Sequence, residues 1–249
     1  MPDPGRSRAD LLVAARGLAP SRARAQALIA AGKVLADGAP VTRAGQLLAE
    51  SCRLELAAAD HPWVSRGALK LVAALERFAI DPAGLDCLDL GASTGGFTHV
   101  LLDRGAARVT AVDVGHDQLH PDLRADPRVI CIEGLNAREL GPGHLPASPD
   151  IVVCDVSFIG LRLALPPALD LAAPGARLVA LVKPQFEAGP ERVGKGGVVR
   201  DPAIREEVLR GITDWLAARP GWRVLGTVES PVTGPKGNVE YLLVAEKTA

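Results

Sequence analysis

Apolar and polar residues run in two rhythms along this chain, and the change falls near residue 60. Before it, helical spacing predicts two helices, Arg8 to Arg16 and Arg22 to Ala31, with Ser21 as N-cap of the second and Gly32 as its terminator. Three strand-like pieces follow at 33–36, 39–41 and 53–56, the first two joined by the tight-turn pair Asp37-Gly38. Beyond residue 65, continuous apolar runs alternate with helical stretches. Strands are predicted at 86–90, 108–112, 128–132, 150–154 and 176–182, and helices at 66–78, 95–103, 117–124, 161–172 and 202–218. On the first of these helices Leu69, Val72, Ala73, Leu75 and Glu76 trace an inward face, with Lys70 beside it. Regular alternation argues for a parallel sheet with helices on both faces. The last two strands, 222–229 and 239–246, leave no room for a helix between them and should pair antiparallel. The expected fold is α/β: a doubly wound sheet with an antiparallel last strand, preceded by a small α+β domain. The domains expected are 1–59, a linker over 60–65 where Pro62 blocks helix continuation, and 66–249. Trp63 in the linker suits either interdomain packing or the stacking of a base.

Composition narrows the reading. Hydrophobic residues make up 48% of the chain but aromatics only 3%, so the core must come from Leu, Val, Ile and Ala. A net charge of −1 gives no global field toward nucleic acid, so any basic surface must be local. One exists: residues 6–33 carry Arg6, Arg8, Arg16, Arg22, Arg24 and Lys33 against Asp10 alone. Arginines on both helices of one small module suit phosphate binding better than a merely solvated face. The four cysteines form no C-x-x-C pair, and three lie in apolar runs, so buried thiols rather than disulfides are expected. The N-terminus is too charged for a signal peptide, and no apolar run reaches 18 residues. A soluble, reduced, cytoplasmic protein is expected. Lysines number 6 against 22 arginines. Only lysine readily loses its proton, so each one is a candidate for chemistry.

The stretch Asp89 to Phe97 lies between a strand and a helix. Its glycines let backbone approach a ligand at a helix N-terminus rich in free N–H groups. The spacing Asp-x-Gly-x-x-x-Gly-Gly differs from the dinucleotide pattern and resembles the first motif of S-adenosylmethionine (SAM)-dependent methyltransferases. That resemblance implies a cofactor loop of Asp89, Gly91, Ala92, Ser93, Thr94, Gly95, Gly96 and Phe97; a plain glycine turn is the alternative. Doubly wound sheets bind ligands at the carboxyl ends of their strands. Asp113 stands at one such end, suited to ribose hydroxyls or to an N-cap. Asn136 follows another, suited to an adenine edge or a turn. Asp155 ends the fourth strand and Lys183 the fifth, where Pro184 stops the ladder and leaves a lysine at the rim. Glu240 opens the last strand. Lys70, Asp155, Lys183 and Glu240 can then converge over a cofactor, with Asp155 touching it as well. The loops 195–197 and 233–237 flank this edge as phosphate clamps or ordinary turns. His116 and His120 have ligand spacing but lack a third partner, so no metal is expected.

The order Arg8-x-Asp10, Arg16-Gly17-Leu18, Ser21-Arg22, Ala25, Ile29, Gly32-Lys33-Val34 and Asp37-Gly38 resembles the RNA-binding domain of ribosomal protein S-four. The segments Ser65–Leu71, Gly91–Thr98, Asp155–Ile159, Lys183–Glu187, Gly196–Asp201 and Gly237–Tyr241 resemble the TlyA family. Its members are known both as hemolysins and as ribosomal RNA 2′-O-methyltransferases, with an FtsJ-like catalytic part. The resemblance implies SAM-dependent ribose methylation of cytidines in small- and large-subunit rRNA. It also implies rRNA or ribosomal subunits as partners, and a tetrad of Lys70, Asp155, Lys183 and Glu240. RNA would be held by Arg6, Arg8, Arg16, Arg22, Arg24, Lys33 and Arg66. Two positions depart from the pattern: Ala68, where a second glycine often follows Ser-Arg-Gly, and His116, where relatives often carry tyrosine. Chemistry assigns the roles. A 2′-hydroxyl needs its proton removed, so Lys183 is read as the base. Lys70 and Asp155 position, and Glu240 organises Lys183 or the substrate. The competing readings are a membrane-acting hemolysin, which lacks a spanning helix or strongly basic amphipathic stretch, and a catalytically silent RNA-binding or assembly factor, which the intact tetrad argues against.

Overall fold

The structure, a computed structural model, describes residues 5–19, 21–30, 32–56 and 61–248. The expected helix end at Ala31 and the linker residue Asp60 lie outside the described residues. The chain divides into two compact units, Met1–Pro62 and Trp63–Ala249.

The first unit runs β1 (Arg6–Arg8), α1 (Ala9–Ala15), α2 (Arg22–Ala30), β2 (Val34–Ala36), β3 (Ala39–Pro40), β4 (Leu47–Ala49) and β5 (Leu54–Leu56). The Ser21 hydroxyl accepts a hydrogen bond from the Arg24 N–H at 3.2 Å and so caps α2. Asp37 and Gly38 take positive φ of 50° and 78°, as a two-residue hairpin requires. Strand β2 pairs antiparallel with β3 and β5, and β1 with β4. The pair β1–β4 was not expected, because three-residue strands are too short to show a period. A small core of Ala9, Val13, Ala25, Ile29, Val34, Val41 and Leu48 holds the unit together.

The second unit begins with α3 (Ala68–Arg77) and continues β6 (Asp86–Leu90), α4 (Gly96–Asp103), β7 (Arg108–Asp113), α5 (Pro121–Ala125) and β8 (Val129–Glu133). Then come β9 (Ile151–Cys154), α6 (Leu161–Ala164), α7 (Pro166–Leu171), β10 (Arg177–Val182), α8 (Pro184–Glu187), α9 (Pro202–Ala217), β11 (Trp222–Glu229) and β12 (Tyr241–Lys247). The seven strands form one sheet in the order β11-β12-β10-β9-β6-β7-β8. Strands β6 to β10 pair parallel, while β12 runs antiparallel to both β10 and β11. Alternate side chains feed two cores. Leu178, Ala180 and Val182 meet Leu161, Leu165 and Ile212 on one face; Val179 and Leu181 join the cluster that holds Leu71, Leu75 and Leu101 on the other.

Three expectations shift. The helix expected at 161–172 is two, α6 and α7, broken where Pro166 and Pro167 remove N–H donors. Lys183-Pro184 opens the short helix α8, with proline in its first turn. The buried face of α3 is Ala68, Lys70, Leu71, Ala74 and Leu75, so Lys70 lies on the inward face rather than beside it. Its counterions, described below, make that burial tolerable. Trp63 and Val64 pack against the core around α3 and α4, and the Val64 N–H donates to His99 Nδ1 at 3.2 Å. All four cysteines are free, and burial pushes the Cys87 and Cys154 thiols up to about 12, so both are inert. Among the described residues no helix is long and apolar enough to cross a membrane.

Candidate active site

Four charged side chains meet at one edge of the sheet. Asp155 follows β9 and Lys183 follows β10, at adjacent parallel strand ends. Because β12 is antiparallel, with Tyr241 opposite Val182, Glu240 enters the same edge from the other direction. Lys70 comes from the first turn of α3. Lys183 Nζ lies 2.6 Å from Asp155 Oδ1, Lys70 Nζ 3.9 Å from Asp155 Oδ2, and Lys70 Nζ 2.7 Å from Glu240 Oε2. The charges alternate as Lys183, Asp155, Lys70, Glu240. Lys70, Lys183 and Glu240 are buried. Buried ions persist only when paired, and removing one partner of such a pair typically costs about 3–5 kcal/mol. Glu240 is held further by Gln185, whose Nε2 donates to Oε1 at 3.0 Å.

A cavity of about 800 Å³ opens beside this row, in the size range of small-molecule sites. Gly91, Ser93, Asp113, Asn136 and Asp155 line it, together with Phe158 and Phe186 from the segments after β9 and β10. The Phe158 ring is 92% exposed, on a backbone with φ of 65°. Asp113 ties two loops together: its Oδ2 accepts from the Ser93 N–H at 2.8 Å and its Oδ1 from the Gly115 N–H at 2.7 Å. Glu133 pins the loop after β7 by accepting from the N–H groups of Asp117, Gln118 and Leu119, and it pairs with Arg124. Those donors, Arg124 first, hold its carboxyl down to about 2.

The model of the FtsJ-like methyltransferase family matches residues 63–247, and that of the S4 domain matches residues 7–51. The chain belongs to the FtsJ-like methyltransferase family. It is 50% identical to the 16S/23S rRNA (cytidine-2′-O)-methyltransferase TlyA of Mycobacterium tuberculosis, over 96% of this chain and 89% of that protein. It is 39% identical to Hemolysin A of Brachyspira hyodysenteriae, over 94% of this chain and 98% of that one. A solved structure from Streptococcus thermophilus, described provisionally as a hemolysin, superposes with a TM-score of 0.78 at 40% identity, covering 98% of this chain and 89% of the other. The Rossmann-like methyltransferase sheet with a small N-terminal domain is therefore the fold of this FtsJ-like chain.

The glycine loop of this FtsJ-like methyltransferase divides its labour. Gly91 has φ of 79°, and a Cβ there would come 2.8 Å from the Asp155 carbonyl oxygen, so glycine lets the loop close onto the strand end that carries Asp155. A Cβ on Gly96 would collide with the Ser65 hydroxyl, so that glycine serves packing against the segment before α3. Ala92 and Phe97 are buried in the core. Asp89 is also buried; its Oδ2 accepts from the Thr98 hydroxyl at 2.7 Å, and burial pushes its carboxyl up to about 7. Of the predicted loop, Gly91 and Ser93 reach the cavity wall, whereas Asp89, Ala92, Thr94, Gly95, Gly96 and Phe97 are not among its lining residues. Asn136 both lines the cavity and caps a turn, its Oδ1 accepting from the Arg138 N–H at 3.1 Å. His120 caps α5 by accepting from the Asp122 N–H at 3.3 Å, and the His116 ring sits against Gly134. Among the described residues no three side chains gather as a metal site.

The expected RNA-binding residues fall into two sets. Arg66 lines a second opening of about 500 Å³ together with Lys70, Gly234 and Lys236. The rest lie in the first unit, where sequence reasoning missed an organiser. Asp10 is fully buried; its carboxylate accepts from Arg8 at 2.9 Å and 3.0 Å, from Arg22 Nε at 2.9 Å and from Gln26 at 2.8 Å. Arg8 leads these donors, which hold Asp10 well below the usual carboxylate range. Arg16 donates to the Cys52 and Glu50 carbonyl oxygens, a structural use. Arg6 donates to the Leu47 carbonyl at 3.3 Å, Arg24 is exposed, and Lys33 is half-buried. Glu240, expected to organise Lys183 or the substrate, accepts from Lys70. Gln185 and Ser157, both at the tetrad, carried no signal beyond their place in short motifs.

Proposed function

We propose that this protein methylates ribose 2′-hydroxyls of ribosomal RNA, on cytidines, with SAM as donor, in the cytoplasm. The observation that carries the reading is the row Lys183, Asp155, Lys70, Glu240 beside a cavity of nucleoside size. The chain around the cavity suits SAM. Each Asp113 oxygen takes a single backbone N–H, which leaves lone pairs for ribose hydroxyls. Asn136 uses only its carbonyl oxygen locally, which leaves its amide to an adenine edge. Gly91, Ser93 and the helix N-terminus behind them suit the methionine end. Bound there, SAM supplies a methyl group made electrophilic by its positive sulfur.

The chain's own residues do the rest. Lys183, once neutral, takes the proton of the 2′-hydroxyl at Nζ. Asp155 holds Lys183 on one side and faces Lys70 on the other, so one carboxylate orients both amines. Lys70 is anchored by Glu240, which Gln185 orients. Phe158 offers an exposed ring at the cavity mouth on which a base can stack. In this reading residues 1–59 grip RNA through the arginines around Asp10, residues 60–65 link, and residues 66–249 carry the chemistry. The test is transfer of labelled methyl from SAM to isolated ribosomal subunits, with the modified nucleotide mapped. Label on cytidine ribose is expected; label on a base, or none, refutes the reading. The name Hemolysin A raises membrane damage as a second reading, and dye leakage from liposomes by purified protein tests it.

A further inference from the structure

Lys183 Nζ lies 5.8 Å from the centre of the Phe186 ring and has two polar partners of different character. Asp155 Oδ1 forms an ion pair with it at 2.6 Å. The amine also donates a hydrogen bond to Ser157 Oγ at 2.8 Å. Ser157 stands on the cavity wall, on the loop that joins β9 to α6, while Lys183 is buried. The next residue, Phe158, holds this loop in the left-handed region with φ of 65°, a strained conformation for a side-chain-bearing residue. Serines kept for local structure bond nearby backbone. This one reaches a lysine 26 residues away.

We propose that Ser157 is a positioning residue for Lys183, its hydroxyl fixing the rotation of the amine so that the lone pair of the neutral form points in one direction. The proposal rests on the methyl-transfer reading above. A neutral amine holds two hydrogens and one lone pair. Asp155 is an acceptor only, so it draws a hydrogen and repels the lone pair. Ser157 Oγ accepts the second hydrogen. The lone pair is left in the third direction, the one that no described side chain claims with a hydrogen bond or ion pair. Without Ser157 the amine turns about Cε–Nζ with Asp155 as its sole guide, and the lone pair is shared between two directions. Ser157 also accepts from the charged amine, so its removal favours the neutral form.

The test compares Ser157→Ala and Ser157→Thr with the wild type in full-length protein. Ser157→Ala is expected to lower kcat roughly ten- to hundredfold, the scale of a small misplacement at a reacting centre. KM for SAM and for ribosomal subunits should stay within about twofold of wild type, in line with a role confined to the reacting complex. The acid limb of the pH–kcat profile should move to lower pH, and Ser157→Thr should restore both kcat and the limb. A second readout needs no substrate. The chain has six lysines, few enough to titrate individually by NMR with labelled ε-carbons, Lys183→Arg giving the assignment. The Lys183 midpoint should fall in Ser157→Ala. A loss carried by KM alone, an unmoved acid limb, a threonine variant as poor as alanine, or an unmoved Lys183 midpoint overturns the proposal. If wild-type protein methylates no rRNA, the activity reading falls, and the NMR titration decides by itself whether Ser157 governs Lys183.

Discussion

The cluster around Asp10 and the row around Asp155 both place a carboxylate between cations, yet they are built for opposite purposes. Asp10 is buried under arginines that remain half-exposed, and its partners never lose their protons at physiological pH. Every charge there is permanent, and Arg22 spends only its Nε on Asp10. Asp155 sits between lysines that are themselves buried, and lysine can be neutral when its surroundings favour it. Fixed charge suits holding phosphates; a dischargeable cation suits removing a proton. In the proposed reading, the same electrostatic motif serves grip or chemistry according to which cation it uses and which partner is buried.

The sharpest way to break this contrast is to remove the dischargeable cation. Lys183→Ala should lower methyl transfer roughly 10²–10⁴-fold, the range of general base catalysis, with SAM affinity by calorimetry little changed. Retained turnover would remove Lys183 from the role of base. The next largest effect is expected at the permanent cluster. Asp10→Ala removes the buried acceptor that Arg8, Arg22 and Gln26 share and should destabilise the first unit by about 1–3 kcal/mol, read as a lowered thermal transition. Because folding depresses the Asp10 carboxyl, its contribution is present above the ordinary carboxylate range and is lost as pH falls below it. A first unit whose stability is flat in acid would contradict the pairing.

Asp89 sharpens the comparison, being a buried carboxylate without a cation. Folding raises its carboxyl to about 7, chiefly by burial, so the folded form holds a proton that the unfolded form releases. Its stabilisation is complete below the ordinary carboxylate range and fades as pH rises toward about 7. Asp89→Asn should flatten that decline in urea denaturation curves measured from acid to neutral pH. A slope unchanged by the substitution would place the titration elsewhere. The smallest effect is expected at the grip: Arg22→Ala should weaken RNA binding about equally across sequences and reduce the slope against salt by about one. A sequence-dependent loss would make Arg22 a base reader instead.

Where local pattern and tertiary demand agree, the sequence was readable. The alternating runs from Cys87 onward predicted strands within a residue or two of β6 to β10, because parallel strands buried on both faces are continuous apolar runs. The missing helix between Glu229 and Tyr241 foretold the antiparallel hairpin. The tetrad was legible through the resemblance together with topology, since each member sits at a strand end or at the start of a helix. What escaped needed three-dimensional partners. Lys70 looked like a flank of α3 because helical periodicity counts apolar residues, whereas this buried lysine is admitted by Glu240, 170 positions later. Asp10 read as an ordinary acid among arginines, since nothing local signals burial. Ser157 and Gln185 are uncharged, and only distance to Lys183 and Glu240 distinguishes them from turn residues.

The placement of β12 has a consequence for how the enzyme comes into being. The final strand inserts between β10 and β11 and brings Glu240 with it. Before that insertion Lys70 has Asp155 at 3.9 Å but not Glu240, the nearer of its two counterions at 2.7 Å. A chain in which β12 has not entered the sheet therefore lacks both the strand that joins β10 to β11 and the acid that completes the charged row.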